Sequence, residues 1–240
     1  MANSPPALSI IFLMFNEEGS IAAVLDEALA FADRTLPVCE LLVIDDGSTD
    51  GSAAIVAAYA ERDARIRLIR HERNGGMGAG MRTGILHAAH PLFIFNAADD
   101  QVPCEEIGKM LPLLQGPESI VLSTYIRRAD TLSRKLMSRA FRLFLFLAAD
   151  IRFELEGLYL YPTELARKLL PRISSTSFVF SFELIARAAE RGIPLATTRI
   201  RCLPRIAGHS KVTGTRRILF VAREVMAYRR RRAAEPKESP

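Results

Sequence analysis

Residues 92–103 read LFIFNAADDQVP, and this stretch decides the fold class. An apolar run typical of a buried parallel strand ends abruptly in two carboxylates, Asp99 and Asp100, which are followed by Gln101 and Pro103. In open α/β sheets, ligands bind at the carboxyl ends of the strands. Paired carboxylates at that position suit Mg²⁺ or Mn²⁺ beside a phosphate ligand, whereas the alternative interpretation is an ordinary turn and helix start.

Three earlier units repeat this pattern of an apolar run followed by polar or glycine-rich residues. The predicted strands cover residues 8–15, 40–44 and 66–70, and the stretches after them are 16–20, 45–50 and 73–82. Strands that alternate with helical patterns predict an α/β fold with a mainly parallel, doubly wound sheet flanked by helices. Glu17, Asp45, Asp46 and Asp99 then meet at one edge, where a divalent cation, ribose hydroxyls or base N–H groups would offset their mutual repulsion.

The composition fits one large domain with a basic C-terminal end. The chain has 240 residues, of which 49% are hydrophobic, and a net charge of +5. Between Arg205 and Arg232 there are nine Lys or Arg residues and one Glu, and such a run attracts phosphate or anionic lipid.

The spacing of Cys39, Cys104 and Cys202 matches no zinc or redox motif, which favours a reduced, cytosolic compartment. We expect neither a signal peptide nor a transmembrane helix.

A dinucleotide-binding domain is the main alternative to this interpretation. It would place Gly-x-Gly-x-x-Gly directly after the first strand. Here that loop is Asn16-Glu17-Glu18, whose charge would repel a pyrophosphate, and the glycines come only after the third strand. Walker A, His-Glu-x-x-His and Gly-x-Ser-x-Gly motifs are absent from the sequence.

Several short motifs occur in a specific order between residues 8 and 230. They are Phe15-Asn16-Glu17-Glu18, Ile44 to Asp50, Asn74 to Arg82, Ala98-Asp99-Asp100-Gln101, Ser123-Thr124-Tyr125, Arg134 to Arg139, Glu156-Gly157-Leu158-Tyr159, Phe182-Glu183-Leu184 and Arg205 to Lys211. Together they resemble the family 2 glycosyltransferases with the GT-A fold, and in particular the dolichol-phosphate mannosyltransferase group. One departure affects metal binding: the usual Asp-x-Asp reads Ala97-Ala98-Asp99, so either Asp100 substitutes for the missing ligand or the ion is held by Asp99 and the diphosphate alone.

The resemblance implies an inverting transfer of a sugar from a UDP- or GDP-sugar, and it assigns roles to individual residues. It implies a nucleotide-sugar site of Phe15, Glu17, Asp45, Asp46, Ser48, Arg82, Ala98 and Gln101, a Mg²⁺ or Mn²⁺ site at Asp99 and Asp100, catalytic roles for Asp99, Glu156, Arg205 and Lys211, and an acceptor-phosphate site of Arg127, Arg134 and Ser210. A lipid phosphate attacks without a base because it is already an anion, whereas a hydroxyl acceptor needs a carboxylate. Glu156 is the first candidate for that base and Glu154 the second.

Two segments are candidates for contact with a membrane surface. Residues 132–149 combine a basic start with an apolar run too short to span a bilayer, and the alternatives are a buried helix or a dimer contact. Residues 215–232 place Val221, Val225 and Tyr228 at helical spacing before four arginines, which is typical of a basic amphipathic helix; the alternative is a core-packed last helix. We therefore expect a catalytic domain over 1–212 and a basic helix with a tail over 213–240.

The predicted function is that of a glycosyltransferase peripheral to the cytosolic face of a membrane. Its acceptor would be polyprenyl phosphate or a related lipid. Two alternatives stay open: an enzyme of the same fold that acts on a glycan or soluble hydroxyl acceptor, and a degenerate relative that binds nucleotide-sugar without transferring it. A homo-oligomer is compatible with the sequence. Nucleic acid is not an expected partner, because the basic run lacks interleaved aromatic residues.

Overall fold

A seven-stranded sheet forms the centre of the computed structural model, which describes residues 6–98, 101–116, 118–126, 139–140, 142–146, 157–203 and 215–235. The strands are β1 (Leu8–Met14), β2 (Cys39–Asp45), β3 (Ile66–Arg70), β4 (Leu92–Ala97), β5 (Ile120–Tyr125), β6 (Tyr159–Pro162) and β7 (Leu195–Ile200). Their order across the sheet is β3-β2-β1-β4-β6-β5-β7. Neighbouring strands pair in parallel except for β6, which runs antiparallel to both β4 and β5. The expected α/β sheet is confirmed.

Helices cover both faces of this sheet. They are α1 (Ile21–Thr35), α2 (Ser52–Ala60), α3 (Met77–His87), α4 (Glu105–Gly108), α5 (Thr163–Leu169), α6 (Val179–Glu190) and α7 (Thr215–Ala234). Residues 142–146 are also helical, and short 3₁₀ turns occupy Leu111–Leu113 and Leu170–Arg172. Each of the first four strands is followed by a helix; the sequence pattern predicts the first three of these helices.

The near-continuous apolar sequence of β1 follows from its cover on both faces. Ile10 and Phe12 join the core cluster that contains Leu25 of α1, whereas Ile11, between them, joins the cluster that contains Ile85 of α3. Successive side chains of a strand point to opposite faces, so a polar side chain anywhere in β1 is buried and needs a partner; Ser9 has one, since its hydroxyl donates to Glu40 Oε1 at 2.6 Å. A central strand without polar alternation is therefore the sequence signature of this two-faced core.

The reversed strand β6 brings its first residue, rather than its last, to the edge where its neighbours end. Leu160 pairs with Ile94 of β4, and Tyr159 pairs with Leu122 of β5. Because β6 is antiparallel to both, the chain enters it at their carboxyl ends. The residues just before β6 thus reach the same edge as the residues just after β4 and β5.

The third core cluster joins the C-terminal helix to the rest of the domain. Val221, Val225 and Tyr228 of α7 are buried against Val179 and Phe182 of α6. The stripe that suggested a membrane-binding face is therefore covered by protein, since burying it against α6 removes the same apolar surface from water. Within the described residues, none of the helices combines the length and apolar composition that crossing a bilayer requires.

Candidate functional site

The loops that follow β1 and β2 are interlocked by main-chain and side-chain hydrogen bonds. The amide of Asn16 donates to Ser48 Oγ at 2.9 Å, and the amide of Thr49 donates back to Asn16 Oδ1 at 2.8 Å. The amide of Glu17 donates to Ser52 Oγ at 2.9 Å. Asn16 has a φ of 54°, a left-handed conformation that Asn tolerates better than most residues. These bonds fix the position of the half-buried Phe15 and Glu17 at the edge of the sheet.

Asp45 stabilises the turn at the end of β2. Its side chain is fully buried, and its Oδ1 accepts a hydrogen bond of 2.8 Å from the amide of Ser48. Its Oδ2 lies 3.1 Å from Arg70 Nε, in an ion pair whose angles fall outside those of a hydrogen bond. Arg70 also donates to the Ser48 carbonyl at 2.8 Å. Asp45 and Ser48 therefore stabilise the same turn, and Arg70 balances the charge of the buried Asp45 carboxylate.

The neighbouring carboxylate of Asp46 holds the loop that follows β3. Oδ1 accepts the amide of Gly75 at 2.9 Å, and Oδ2 accepts the amide of Gly76 at 2.8 Å. His71 Nδ1 lies 2.8 Å from the same Oδ1, and His71 Nε2 lies 2.9 Å from Thr83 Oγ1. The imidazole of His71 therefore lies between Asp46 and Thr83, within hydrogen-bond distance of both. Asp46 thus shapes the glycine-rich loop through its two main-chain donors.

The residues that flank Asp99 and Asp100 are held from two sides. Ser20 Oγ donates to the carbonyl of the buried Ala98 at 2.7 Å, which joins the first loop to the end of β4. The amide of Leu203 donates to the carbonyl of Gln101 at 2.7 Å. Leu203 follows β7, and Arg205 lies two residues beyond it in the sequence. The residue that follows the Asp99-Asp100 pair in the sequence is therefore hydrogen-bonded to the segment that leads toward the basic motif.

The entry to β6 is fitted closely against β5. Ser123 Oγ donates to the carbonyl of Leu158 and accepts from the amide of Leu158, both at 2.8 Å. Gly157 has a φ of 123°, and a Cβ atom there would lie 2.5 Å from Ser123 Oγ. A residue with a side chain is excluded on both counts, because the backbone is strained and the space is already filled. This contact fixes where the chain enters β6 at the sheet edge.

The match to a family model decides the family. The model described as Glycosyl transferase family 2 matches residues 9–187, a range that includes the loops after the first four strands and the entry to β6. The chain belongs to glycosyl transferase family 2. The resemblance noted in the sequence is thereby confirmed.

Two curated relatives of this glycosyl transferase family 2 member are named for transfer involving a lipid phosphate. The chain is 28% identical over 213 residues to a dolichyl-phosphate beta-glucosyltransferase of Trichomonas vaginalis, a match that covers 80% of this chain and 63% of the relative. It is 31% identical over 133 residues to an undecaprenyl-phosphate 4-deoxy-4-formamido-L-arabinose transferase of Yersinia pestis, covering 55% of this chain and 41% of that one. The matches thus span less than two thirds of either relative.

A solved structure shows the same fold. The glucosyl-3-phosphoglycerate synthase of Mycobacterium tuberculosis, crystallised with Mn²⁺, uridine diphosphate and phosphoglyceric acid, superposes with a TM-score of 0.69 at 19% sequence identity. The match covers 96% of this chain and 80% of that chain. The expected GT-A fold of this family 2 member is confirmed.

Arg82 differs from the expectation that it faces a phosphate. Its Nη1 donates to the carbonyl of Leu170 at 3.1 Å and its Nη2 to the carbonyl of Ile173 at 2.6 Å, while the guanidinium lies 5.7 Å from the ring centroid of Phe180. Carbonyls at the end of a short helical turn have no partner within that turn, and a guanidinium is well suited to satisfy them. Arg82 therefore joins α3 to the chain after α5.

Sequence reasoning missed Glu106, which anchors the segment after β7. This fully buried carboxylate accepts hydrogen bonds from Arg201 Nε at 2.6 Å, from the Arg201 amide at 3.1 Å and from Lys109 Nζ at 2.5 Å. Burial alone would raise the pKa of Glu106, but the bonds from Lys109 and Arg201 outweigh it and keep the pKa below its usual value. From the sequence, Glu106 resembles an ordinary acidic residue in the first turn of a helix.

Several predicted site residues lie outside the described residues. They are Asp99, Asp100, Arg127, Arg134, Glu156, Arg205, Ser210 and Lys211. Most of the candidate interface helix at 132–149 also lies outside them. Among the residues that the structure does describe, there is no group of three or more His, Cys, Asp or Glu side chains that could hold a metal ion.

Proposed function

We propose that this protein is an inverting glycosyltransferase that moves one sugar from a nucleotide-diphosphate sugar to a polyprenyl phosphate at the cytosolic face of a membrane. The observation that carries the proposal is the junction of four acidic or glycine-rich loops at one sheet edge. Asn16 bonds Ser48, Asp46 bonds Gly75, and Ser20 bonds the Ala98 carbonyl. Ligands of open α/β sheets bind at such an edge. The lipid-phosphate relatives suggest the acceptor class.

The donor nucleotide would lie on the first two loops. Glu17 is half-buried and its carboxylate can accept from ribose hydroxyls, while Phe15 offers an aromatic face to the base. Asp45 and Ser48 hold the turn that completes this surface, and Asp46 holds the glycine loop beside it. In this arrangement neither Asp45 nor Asp46 contacts the nucleotide. Each fixes a loop whose main-chain groups would bind it.

A divalent cation, Mg²⁺ or Mn²⁺, would be held by Asp99 and Asp100. Position 97 is an exposed alanine that offers no ligand, and the Ala98 carbonyl already accepts a hydrogen bond from Ser20. Carboxylate oxygens are the ligands such hard cations take, so the donor set fits. When bound, the ion would neutralise the diphosphate leaving group.

Positive charge near the leaving group and the acceptor would come from the basic motif after β7. This assignment is supported by the hydrogen bond between the Leu203 amide and the Gln101 carbonyl, because Leu203 precedes that motif in the sequence and Gln101 follows the Asp99-Asp100 pair. We assign Arg205 and Lys211 to the phosphates of donor or acceptor, with Ser210, Arg127 and Arg134 as further ligands of the acceptor phosphate. A lipid phosphate attacks as an anion, so this route requires no general base.

Exposed apolar side chains near α7 are the proposed membrane contact. Leu143 and Phe146 are 58% and 45% exposed, and Leu219 and Phe220 are 60% and 45% exposed. The two segments meet in the third core cluster, which contains Leu145 and Val221. Exposed apolar groups on a basic helix suit the interfacial region of a bilayer. The membrane would thus meet the start of α7 rather than its buried stripe.

A soluble or glycan acceptor is the second candidate. It is favoured by the burial of Val221, Val225 and Tyr228, which leaves α7 without the long apolar face of a typical interfacial helix. In that case the acceptor hydroxyl would need a base, and Glu156, which precedes the edge residue Gly157, would supply it.

The first experiment is transfer of labelled sugar from UDP- and GDP-sugars into polyprenyl phosphate, with and without EDTA. We expect a lipid product that EDTA abolishes and that Asp99→Ala loses. Asp33→Ala is the matched control, because it removes an exposed carboxylate in an ion pair with Arg65 at the surface. Nucleotide binding without lipid product would favour the second candidate or a degenerate relative. The absence of nucleotide binding would refute the glycosyltransferase proposal.

The membrane contact is tested by pelleting with anionic liposomes. The double variant Leu219→Asp and Phe220→Asp should lose most of its association, because it places two charges at the proposed interface. Leu86→Asp adds a charge at another exposed leucine, which is 55% exposed at the end of α3, and should bind as the wild type does. Equal pelleting of all three proteins would contradict this contact.

A further inference from the structure

We infer that Glu224 of α7 is a positioning residue of the donor site, because it fixes the loop against which the glycine-rich turn at the start of α3 is packed. The inference rests on the proposed function, since it concerns the affinity of that site for its nucleotide. A residue of the C-terminal helix would thus influence loops that belong to the first half of the chain.

The contact is made through residues 173–178, which we name the bridging loop. A carboxylate of α6 holds its first half: Glu183 Oε2 accepts the amide of Ser174 at 3.2 Å, and the amide and hydroxyl of Ser175 at 3.1 and 2.7 Å. Glu183 also faces the guanidinium of Arg187 at 3.3 Å, so its charge is balanced where it is buried.

A carboxylate of α7 holds the second half of the bridging loop. Glu224 Oε1 accepts the amide of Thr176 at 2.5 Å and the hydroxyl of Thr176 at 2.8 Å, and Oε2 accepts the hydroxyl of Ser177. Three donors on one carboxylate are charge-assisted hydrogen bonds, which are stronger than neutral ones. The position of Thr176 is therefore set by the C-terminal helix.

Thr176 in turn contacts the glycine-rich turn at the start of α3, which belongs to the proposed donor site. Its carbonyl accepts the amide of Gly78 at 2.9 Å, and a Cβ atom on Gly78 would lie 2.6 Å from Thr176 Cα. Gly75 and Gly76, just before, donate their amides to Asp46. A shift of Thr176 should consequently displace Gly78 and, with it, the loop that Asp46 holds at the sheet edge.

Glu224 is not needed to keep α7 on the domain. Tyr228 is buried against α6 and its hydroxyl donates to Glu190 at 3.0 Å, while Glu235 forms an ion pair of 2.8 Å with Arg187. None of these contacts is made to the bridging loop directly, and Arg187 is linked to it only through Glu183. Removal of the Glu224 carboxylate should therefore loosen Thr176 without releasing the helix.

The test compares Glu224→Ala and Glu224→Gln with Glu235→Gln. Glu224 lies on α7 and Glu235 directly follows this helix, but Glu235 contacts Arg187 and not the bridging loop. We expect Glu224→Ala to raise the Kd for the UDP or GDP complex of Mn²⁺, and the donor KM, by about fivefold or more, the lower end of usual coupling between sites. The kcat should change less than the KM. Glu224→Gln, which keeps an acceptor oxygen, should restore part of the affinity.

Hydrogen exchange in the unliganded protein supplies a measurement that does not depend on function. The peptide covering residues 74–80 should exchange faster in Glu224→Ala and at the wild-type rate in Glu235→Gln, even though loss of the ion pair with Arg187 should lower the denaturant midpoint of Glu235→Gln. Unchanged exchange and unchanged Kd in Glu224→Ala would overturn the inference, as would an equal KM effect in Glu235→Gln. If the wild type binds neither nucleotide, the proposed function fails, and the exchange rates alone then decide whether Glu224 fixes the glycine-rich turn.

Discussion

Replacing Gly78 by alanine should destabilise the protein by about 1–3 kcal/mol, because the new methyl group would meet main-chain atoms. The added Cβ would lie 2.6 Å from Cα and C of Thr176 and 2.7 Å from its carbonyl oxygen. A flexible side chain could turn away from such a contact, but a backbone segment held by Glu224 must move as a whole. The close approach of α3 to the bridging loop is thus the structural feature under test.

The magnitude is the sum of three effects. Overpacking of a close contact costs roughly 1–3 kcal/mol. The hydrogen bond from the Gly78 amide to the Thr176 carbonyl, 2.9 Å long, is lost if the two segments separate, at about 1 kcal/mol. Alanine gains up to about 1 kcal/mol over glycine within a helix, and this offsets part of the cost. The net loss in the free energy of unfolding is therefore close to the overpacking cost alone.

Urea unfolding of Gly78→Ala and Gly80→Ala measures this difference within one helix. A Cβ atom at Gly80 would lie 3.2 Å from Cδ2 of Leu13, the end of a side chain that can shift. Gly80→Ala should therefore stay within about 1 kcal/mol of the wild type, since the helical gain offsets the mild crowding. If Gly78→Ala proves as stable as Gly80→Ala, the close contact between α3 and the bridging loop is absent from the folded protein, and the reasoning is refuted.

Three further predictions concern other parts of the site. Because the folded-state pKa of Glu106 lies below its ordinary 4.5, its contribution to stability is complete above that pH and is lost as pH falls through the folded pKa; urea midpoints of wild type and Glu106→Gln should converge as the pH is lowered below 4.5. Gly157→Ala should lose more stability than Gly192→Ala in thermal unfolding, since both have positive φ but only Gly157 lies against Ser123; equal losses would contradict the close packing. Arg82→Gln should lower the unfolding temperature while leaving the nucleotide Kd in calorimetry near the wild-type value, and a large rise in Kd would restore its predicted phosphate role.

The first half of the fold could be predicted from local pattern, whereas the direction of β6 could not. The run from Leu92 to Asn96 is long, apolar and followed by turn residues, so it indicates a buried strand without further context. Tyr159–Pro162 is four residues long and carries no signal of direction. Its orientation is fixed by pairing with β4 and β5, which are distant in sequence. Such pairing is a tertiary effect that outweighs local propensity.

In the site, likewise, the sequence predicts which types of residue are present but not which partners they contact. Acidic residues after the strands predict a polar edge, and the structure brings the loops of Glu17, Asp45 and Asp46 together there. The destination of Arg82 depends on carbonyls almost ninety residues away, which no local pattern encodes. Likewise, the helical spacing of Val221 and its neighbours indicates that one face of α7 is covered. The spacing does not distinguish a membrane from α6 as the cover, because both require the same apolar periodicity.

The reversal of β6 has an evolutionary consequence. Because β5 ends and β6 begins at the same edge of the sheet, the chain between Tyr125 and Tyr159 departs from the candidate site and returns to it. The interval contributes no residue to the described strand pairs, so changes of its length or sequence need not shift their register. A lineage could exchange one acceptor for another there by insertion or deletion, with the donor loops and the core inherited unchanged.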